Sequence, residues 1–369
     1  MSADEAIFIG VLALRLGVPL LIPRFPLPAI LAALVIDAAD QTIFQQWTNL
    51  NLDSYQGYDK ALDVYYLTIA YLSTIRNWQD PFAIGTARFL WYYRLTGVLL
   101  FELSGVRALL IIFPNTFEYF FIAYEAVRLW WDPRRLSKKQ VIGMAAFIWI
   151  FIKLPQEWWI HIAQLDFTDF MKEDVFGVTS ETPWGEALGQ NLWFIALMAV
   201  LVIGLVFLVR YLKRKLPPPD WSLRFDANKS SYYEDQVELP VQRPSIISWY
   251  MFEKIALVTM VSTIFALILP GSEVSVIRVA VPVAFVIVVS SFVSYWIARR
   301  GHSWSTTVRE FGAMAIINIG VVVVAIAVVG RSDSSINRGA ALFFVLLLTL
   351  IVTLYDRYHR AVHTTTPFS

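Results

Sequence analysis

The sequence predicts an all-α integral membrane protein that crosses the bilayer about ten or eleven times. Hydrophobic residues make up 57% of the chain and charged residues only 16%, whereas a soluble globular chain is about 25% charged. Apolar runs of about 20 residues, the length of a membrane-spanning helix, recur along the chain. The 14 Trp, 16 Tyr and 26 Phe suit a protein with many helix ends at the lipid–water interface.

Seven apolar runs predict an N-terminal membrane domain, residues 1–213. The fifth run contains Pro114 and Asn115 and is expected to kink there, because proline lacks the N–H that the next helical hydrogen bond needs. The fourth run carries several charges and is expected to be shielded by neighbouring helices or to face a cavity. The predicted spans are residues 6–22, 27–46, 58–77, 82–103, 106–130, 140–163 and 190–212.

A polar stretch at residues 214–245 separates this domain from a more apolar one. It opens with Pro217–Pro219 and is too short for a domain, so it is predicted to be a solvated cytoplasmic linker. The second membrane domain, residues 246–358, is rich in Val, Ile, Ala and Leu, and residues 359–369 form a tail. Its predicted spans are residues 247–269, 275–298, 309–329 and 338–355.

The basic loops predict the orientation, because cytoplasmic loops of membrane proteins carry an excess of Lys and Arg. The basic helix ends lie at residues 128–139, 210–215, 299–300 and 357–360, while the loop 164–189 is acidic. If the basic helix ends are cytoplasmic, successive predicted spans place them on one side of the membrane and the acidic loop on the other. The sequence therefore predicts a multi-pass protein of the cell membrane with its N-terminus outside and its C-terminus in the cytoplasm.

Charge and cysteine content exclude several classes of function. Thirty basic residues against 29 acidic ones leave a net charge of +1, so no basic field points to nucleic acid as a partner. The chain has no cysteine, which excludes disulfides, thiolate nucleophiles and cysteine-ligated metals. The expected partners are the lipid bilayer and, as the candidate ligand, a lipid or a small ion.

Four aspartates form the strongest candidate site. Asp37 and Asp40 stand near the end of the second predicted span, and Asp59 and Asp63 stand at the start of the third. Spacings of three and four place each pair on one helical face, so a tight turn between the spans is expected to bring the four carboxylates together. Acids at membrane depth are costly without a cation, a proton or water, so this position predicts function. The orientation places the site toward the outer face.

The spacing of these acids resembles the CDP-alcohol phosphatidyltransferase family, whose motif is D-x2-D-G-x2-A-R followed by G-x3-D-x3-D across two helices. Residues 9–63 keep all four acids as Asp37-x2-Asp40 and Asp59-x3-Asp63. The resemblance implies that Asp37, Asp40 and Asp59 are metal ligands and that Asp63 is the general base. It also implies Mg²⁺ or Mn²⁺ as cofactor, which suits carboxylate oxygens and offsets phosphate charge.

The sequence departs from that motif at its non-acidic positions. Gln41 stands where the family has its first glycine, Phe44 and Gln45 replace the Ala-Arg pair, and Tyr55 replaces the later glycine. Tyr55 matters most, because a side chain there occupies space that a ligand needs when it approaches the backbone closely.

Further ionisable residues at membrane depth support two other functions. They are Arg88, Arg94, Glu102, Glu118, Glu157 and His161. Such groups can line a path for proton-coupled or ion-coupled transport of a small solute, which is the favoured interpretation. The other alternative is a non-catalytic scaffold or complex subunit, in which the two arginines pair with Glu102, Glu118 or the aspartates as buried ion pairs.

Overall fold

The described part of the protein is built from helices alone. The structure, a computed structural model, describes residues 3–48, 55–163, 165, 167–227, 249–268, 316, 347–356 and 358. These residues form helices and no strand, so the predicted all-α class is confirmed. The predicted spans 275–298 and 309–329 lie outside the described residues, apart from residue 316.

Thirteen helices follow one another in the described ranges. They are α1 (Ala3–Gly17), α2 (Pro26–Trp47), α3 (Tyr55–Asn77), α4 (Pro81–Ser104), α5 (Ala108–Ile112), α6 (Thr116–Arg128), α7 (Lys138–Phe147), α8 (Leu154–His161), α9 (Phe167–Asp169), α10 (Trp184–Gln190), α11 (Leu192–Lys215), α12 (Trp249–Ile268) and α13 (Leu347–Asp356). A π-helical segment, Ile148–Lys153, joins α7 to α8 without a break.

Local sequence signals explain several helix ends. The Asp80 side chain accepts a hydrogen bond from the Phe82 N–H at the start of α4, and Pro81 fits the first helical turn. The same helix ends at Gly105, whose φ of 69° favours a residue without Cβ. Ser137 and Gln140 form a reciprocal capping box at the start of α7.

The kink expected at Pro114 is a complete break. Three residues, Phe113–Asn115, separate α5 from α6. The break packs tightly against α4, because a Cβ added to Gly97 would lie 2.1 Å from the Phe113 Cβ. Side chains satisfy the carbonyls freed there: Tyr93 donates to the Ile112 carbonyl at 2.8 Å and Arg94 to the Phe113 carbonyl at 3.1 Å.

Helix α3 lies at the centre of the described bundle. Almost every residue from Ala61 to Trp78 is buried, and α1, α2, α4, α6 and α12 all pack against it. Its core face mixes aromatic residues such as Tyr65 and Tyr71 with buried Thr68 and Thr74. The Thr hydroxyls donate to carbonyls one turn earlier, which satisfies them without a second helix.

Two stretches of helix are long and apolar enough to cross a membrane, Lys138–His161 and Leu192–Tyr211. None of the residues in the second stretch is buried inside the protein. A helix that is apolar on every side and exposed on every side is typical of contact with lipid. The larger number of spans and the division into two membrane domains stay predictions.

Candidate functional site

The four aspartates lie on two helices that face a third. Asp37 and Asp40 are on α2, and Asp59 and Asp63 are in the first turns of α3. Helix α1 packs beside both and carries Arg15 near its last turn. Five ionisable side chains from three helices therefore meet in one place, which we call the acidic site.

Arg15 is the centre of the acidic site. Its guanidinium donates to carboxylate oxygens of all four aspartates, at 2.5 Å for Asp59 and 2.8 Å for Asp63 and in close contacts with Asp37 and Asp40. A guanidinium has five N–H donors in a fixed plane, so one arginine can serve several carboxylates at once. The convergence expected from the spacing of the acids is observed.

The acidic site carries an unbalanced charge and is partly accessible. One guanidinium and four carboxylates give a net charge of −3 when all five groups are ionised. Arg15 and Asp40 are buried, whereas the side chains of Asp37, Asp59 and Asp63 are 28%, 38% and 41% exposed. A cation or protons can reach these partly exposed side chains and offset the remaining charge.

Three of the acids are grouped closely enough to share an ion. Asp37, Asp59 and Asp63 each offer one oxygen, and these three oxygens lie within 4.8 Å of one another. This grouping differs from the assignment that the family resemblance implies, because it includes the expected base, Asp63, and omits Asp40. Hard divalent cations bind such oxygens at about 2.0 to 2.6 Å. The trio therefore fits a divalent ion once the Arg15 guanidinium moves away from it.

The arginines of α4 are paired, but with other acids than those expected. Arg88 donates to Glu253 of α12 at 2.9 Å, and the same carboxylate accepts a hydrogen bond from Tyr71. Arg94 lies 3.7 Å from Glu157 of α8. The expected pairing of these arginines with Glu102, Glu118 or the aspartates is therefore wrong, because α12 and α8 bring nearer carboxylates to α4.

Glu102 and Glu118 bind lysines instead. Glu102 accepts from Lys60 at 3.1 Å near the start of α3. Glu118, in the first turn of α6, accepts from Tyr66 at 2.5 Å and lies 3.5 Å from Lys153 in the π-helical segment. Both acids therefore have a cation from a neighbouring helix.

A continuous polar network surrounds the helix break. The carboxylate of Glu157 accepts the backbone N–H of Asn115 at 2.9 Å and contacts His161 at 3.0 Å. The Asn115 side chain donates to Glu118 at 2.9 Å. Two acids thus hold the start of α6, where the helix dipole favours negative charge.

Four functional candidates were not singled out from the sequence: Arg15, Tyr66, Lys153 and Glu253. The signal for Arg15 and Lys153 was present, since each is a lone cation inside an apolar run, which at membrane depth indicates a charge partner. Glu253 gave a similar signal near the start of α12. Tyr66 lies among several tyrosines, and its sequence context does not distinguish it.

Comparison with family models, with curated proteins and with solved structures finds no match for this chain.

Proposed function

We propose that the chain is a multi-pass membrane protein whose acidic site binds a cation or protons during the coupled transport of an ion or small solute. The membrane assignment is supported by α11, which is apolar and exposed along its length, and by the second apolar stretch, Lys138–His161. It is also supported by the helix lengths. Helices α2, α3, α4 and α11 each have 22 to 24 residues, or roughly 33 to 36 Å, enough for the hydrocarbon core.

The order of the helices supports one orientation. Hydrogen bonds join Trp131 to the carbonyl of Pro217 and the N–H of Ala227 to the carbonyl of Arg24. The loop after α6, the segment after α11 and the turn before α2 therefore meet at one end of the bundle. This end is rich in basic residues, so we assign it to the cytoplasm. The acidic site lies nearer the other end, in the first turns of α3.

This orientation predicts a labelling pattern in a chain that has no native cysteine. We expect Ser222→Cys, in the segment after α11, to react with a membrane-impermeant maleimide only after the cells are opened. Glu181→Cys, an exposed position between α9 and α10, is the matched control and should react in intact cells. Labelling of Ser222→Cys in intact cells would overturn the orientation.

The observation that carries the transport proposal is that four carboxylates share one guanidinium in the acidic site. With all five groups ionised, the site would carry a net charge of −3, which is unstable beside apolar helices unless cations or protons offset it. Arg15 supplies one positive charge and contacts all four acids, so it acts as a tethered cation. Incoming cations or protons compete with Arg15 for the same carboxylates, and this competition gives the site two charge states that transport can use.

A metal-dependent lipid phosphotransferase is the second candidate, in keeping with the resemblance to CDP-alcohol phosphatidyltransferases. It is favoured by the trio Asp37, Asp59 and Asp63, whose oxygens lie within 4.8 Å of one another. In this function the trio would hold Mg²⁺ or Mn²⁺, and the metal would neutralise the phosphate groups of a lipid substrate. Asp40, which is buried against Arg15, would then hold the arginine beside the metal.

One set of measurements separates these candidates. We expect proteoliposomes that contain the wild-type chain to couple a cation gradient to a pH change inside the vesicles, and Asp37→Asn with Asp63→Asn to abolish this coupling. Asp174→Asn, an exposed acid in the segment before α10, is the matched control. A phosphotransferase would instead be stabilised by Mg²⁺ or Mn²⁺, by about 2.7 kcal/mol at a hundredfold excess over the dissociation constant.

The scaffold alternative has its own signature in the same measurements. A closed ion cluster would give no flux and no stabilisation by divalent cations, and Asp37→Asn with Asp63→Asn would change only the melting temperature. That outcome would overturn both functional candidates.

A further inference from the structure

Two basic segments that are far apart in the sequence meet at the end of the bundle assigned to the cytoplasm. The Trp131 indole donates to the carbonyl of Pro217 at 3.0 Å, and the N–H of Asp220 donates to the carbonyl of Trp130 at 2.9 Å. These bonds fix the chain just after α11 against the loop between α6 and α7. They therefore bring the basic end of α11 and the basic start of α7 to one side of the protein.

Where these two segments meet, at the junction, the carboxylates of Asp132 and Asp220 are already paired with arginines. Asp220 pairs with Arg135 at 2.7 Å, and Asp132 pairs with Arg134 at 2.8 Å. Partial burial would raise the pKa of the Asp132 carboxyl, but hydrogen bonds from the Arg134 side chain and backbone outweigh it, so its pKa lies below the ordinary value. Asp132 is therefore ionised at neutral pH and holds Arg134 in place.

Four other cations at the junction are exposed, and no acid in the described part of the chain pairs with them. Lys138 and Lys139 occupy the first turn of α7, and Arg214 and Lys215 the last turn of α11. Among the described residues these four form no salt bridge. We call them the basic collar.

Within the basic collar, the two lysines give the stronger indication that an anion binds. The start of a helix carries a partial positive charge, so cations in the first turn of α7 are electrostatically disfavoured. The capping box of Ser137 and Gln140 satisfies the backbone there but brings no negative charge. An anion from outside the chain would offset both the lysines and the helix start.

The basic collar also lies where phospholipid headgroups would be. Each of the two apolar stretches that can cross a membrane has one end beside the basic collar. One stretch starts at Lys138 and the other ends at Tyr211. Aromatic rings lie beneath the cations, since Lys138 is 5.5 Å from the Phe82 ring and Lys215 is 6.0 Å from the exposed Tyr211 ring. Such a layer of aromatic and basic side chains is typical of the lipid–water interface.

We propose that the basic collar binds the phosphate groups of anionic phospholipids in the cytoplasmic leaflet. The inference rests on the proposed membrane location but not on the role of the acidic site. Lysine and arginine side chains near such a leaflet each strengthen binding roughly fivefold. Four of them together should give a preference for anionic over zwitterionic lipid. Because this preference comes from Coulomb attraction, it should weaken as added salt screens the charges.

The test uses the full chain in neutral detergent with added phosphatidylglycerol or phosphatidylcholine. We expect native mass spectrometry to retain more phosphatidylglycerol on the wild type, and Lys138→Gln, Lys139→Gln, Arg214→Gln and Lys215→Gln together to reduce this preference by roughly tenfold or more. Arg107→Gln, an exposed cation at the other end of the bundle, is the control and should leave the preference unchanged. If the fourfold variant does not fold, Lys138→Gln with Lys139→Gln provides the same comparison.

Three outcomes would overturn the proposal. They are equal retention of the two lipids, an unchanged preference in the folded variant, and displacement of phosphatidylglycerol by inorganic phosphate at the same concentration, which would indicate a site for soluble anions. Alkaline carbonate extraction separates this failure from that of the membrane assignment. A chain that carbonate removes from membranes does not span them, whereas a retained chain without lipid preference refutes only the basic collar.

Discussion

Replacing Arg15 with leucine is expected to destabilise the protein more than removing the cation of any other ion pair in its described residues. The variant keeps four carboxylates that have lost their shared guanidinium, and one of them, Asp40, is almost fully buried. Removing one partner of a buried ion pair typically costs about 3 to 5 kcal/mol, because the other charge stays buried without compensation. The melting temperature of the purified protein, and its yield from membranes, should fall accordingly.

Two further variants check that the loss comes from uncompensated acids. Arg24→Leu removes an arginine that is 56% exposed and pairs with Asp226, and it should cost less than about 1 kcal/mol. Asp40→Asn added to Arg15→Leu should recover part of the stability, because it removes the most deeply buried acid. An Arg15→Leu protein as stable as the wild type would show that Arg15 is not the charge partner of the acidic site.

The same variant also probes the site for cations. Without the tethered guanidinium, the trio Asp37, Asp59 and Asp63 is free to take a divalent ion. Stabilisation of Arg15→Leu by Mg²⁺ or Mn²⁺, if larger than that of the wild type, would show that arginine and metal compete for the same oxygens. Stabilisation by low pH alone would indicate proton uptake instead.

Sequence periodicity was enough to predict that the four aspartates meet. Asp37 and Asp40 are three residues apart and Asp59 and Asp63 four apart, so each pair shares a helical face whatever the rest of the chain does. The short connection between α2 and α3 then leaves the two pairs facing each other. The part played by Arg15 was not predictable in this way, because it depends on how α1 is rotated against α2 and α3.

Ion-pair partners show the same limit more clearly. The carboxylate that binds Arg88 belongs to Glu253, which is 165 residues away and on the far side of the polar linker. No local spacing relates two such residues. Their contact depends on α12 packing against α3 and α4, which is a property of the tertiary structure.

The helices themselves follow from apolar length and local breakers. The first four predicted spans agree with α1 to α4 within a few residues at most ends. The fifth differs because Pro114 and Asn115 end one helix and begin another. The resulting break is stable because Tyr93 and Arg94 bond its free carbonyls, and the sequence alone does not show that these side chains reach it.

Tyr66 links the acidic site to the network at the break. It follows Asp59 and Asp63 at spacings of seven and three on α3, so the three side chains share one helical face. Its hydroxyl donates to Glu118 at the start of α6. A shift of α3 that accompanies cation binding would therefore act directly on the helix break, which gives the proposed transport a structural element that can move.

Replacing Arg88 with leucine is the second change for which we expect a large effect, of order 3 kcal/mol. Glu253 is almost fully buried, and Arg88 is the cation that lies 2.9 Å from it. Glu253→Gln combined with Arg88→Leu should restore most of the stability, because a neutral amide needs no cation.

Arg94→Leu is the matched comparison on the same helix. It should cost about 1.5 kcal/mol, because the Phe113 carbonyl loses its donor while Glu157 keeps the Asn115 N–H and His161. Thermal denaturation of these variants, of Glu253→Gln alone and of the wild type measures the coupling between Arg88 and Glu253. No recovery in the double variant, or no coupling between the two substitutions, would contradict the assignment of Glu253 as the partner of Arg88.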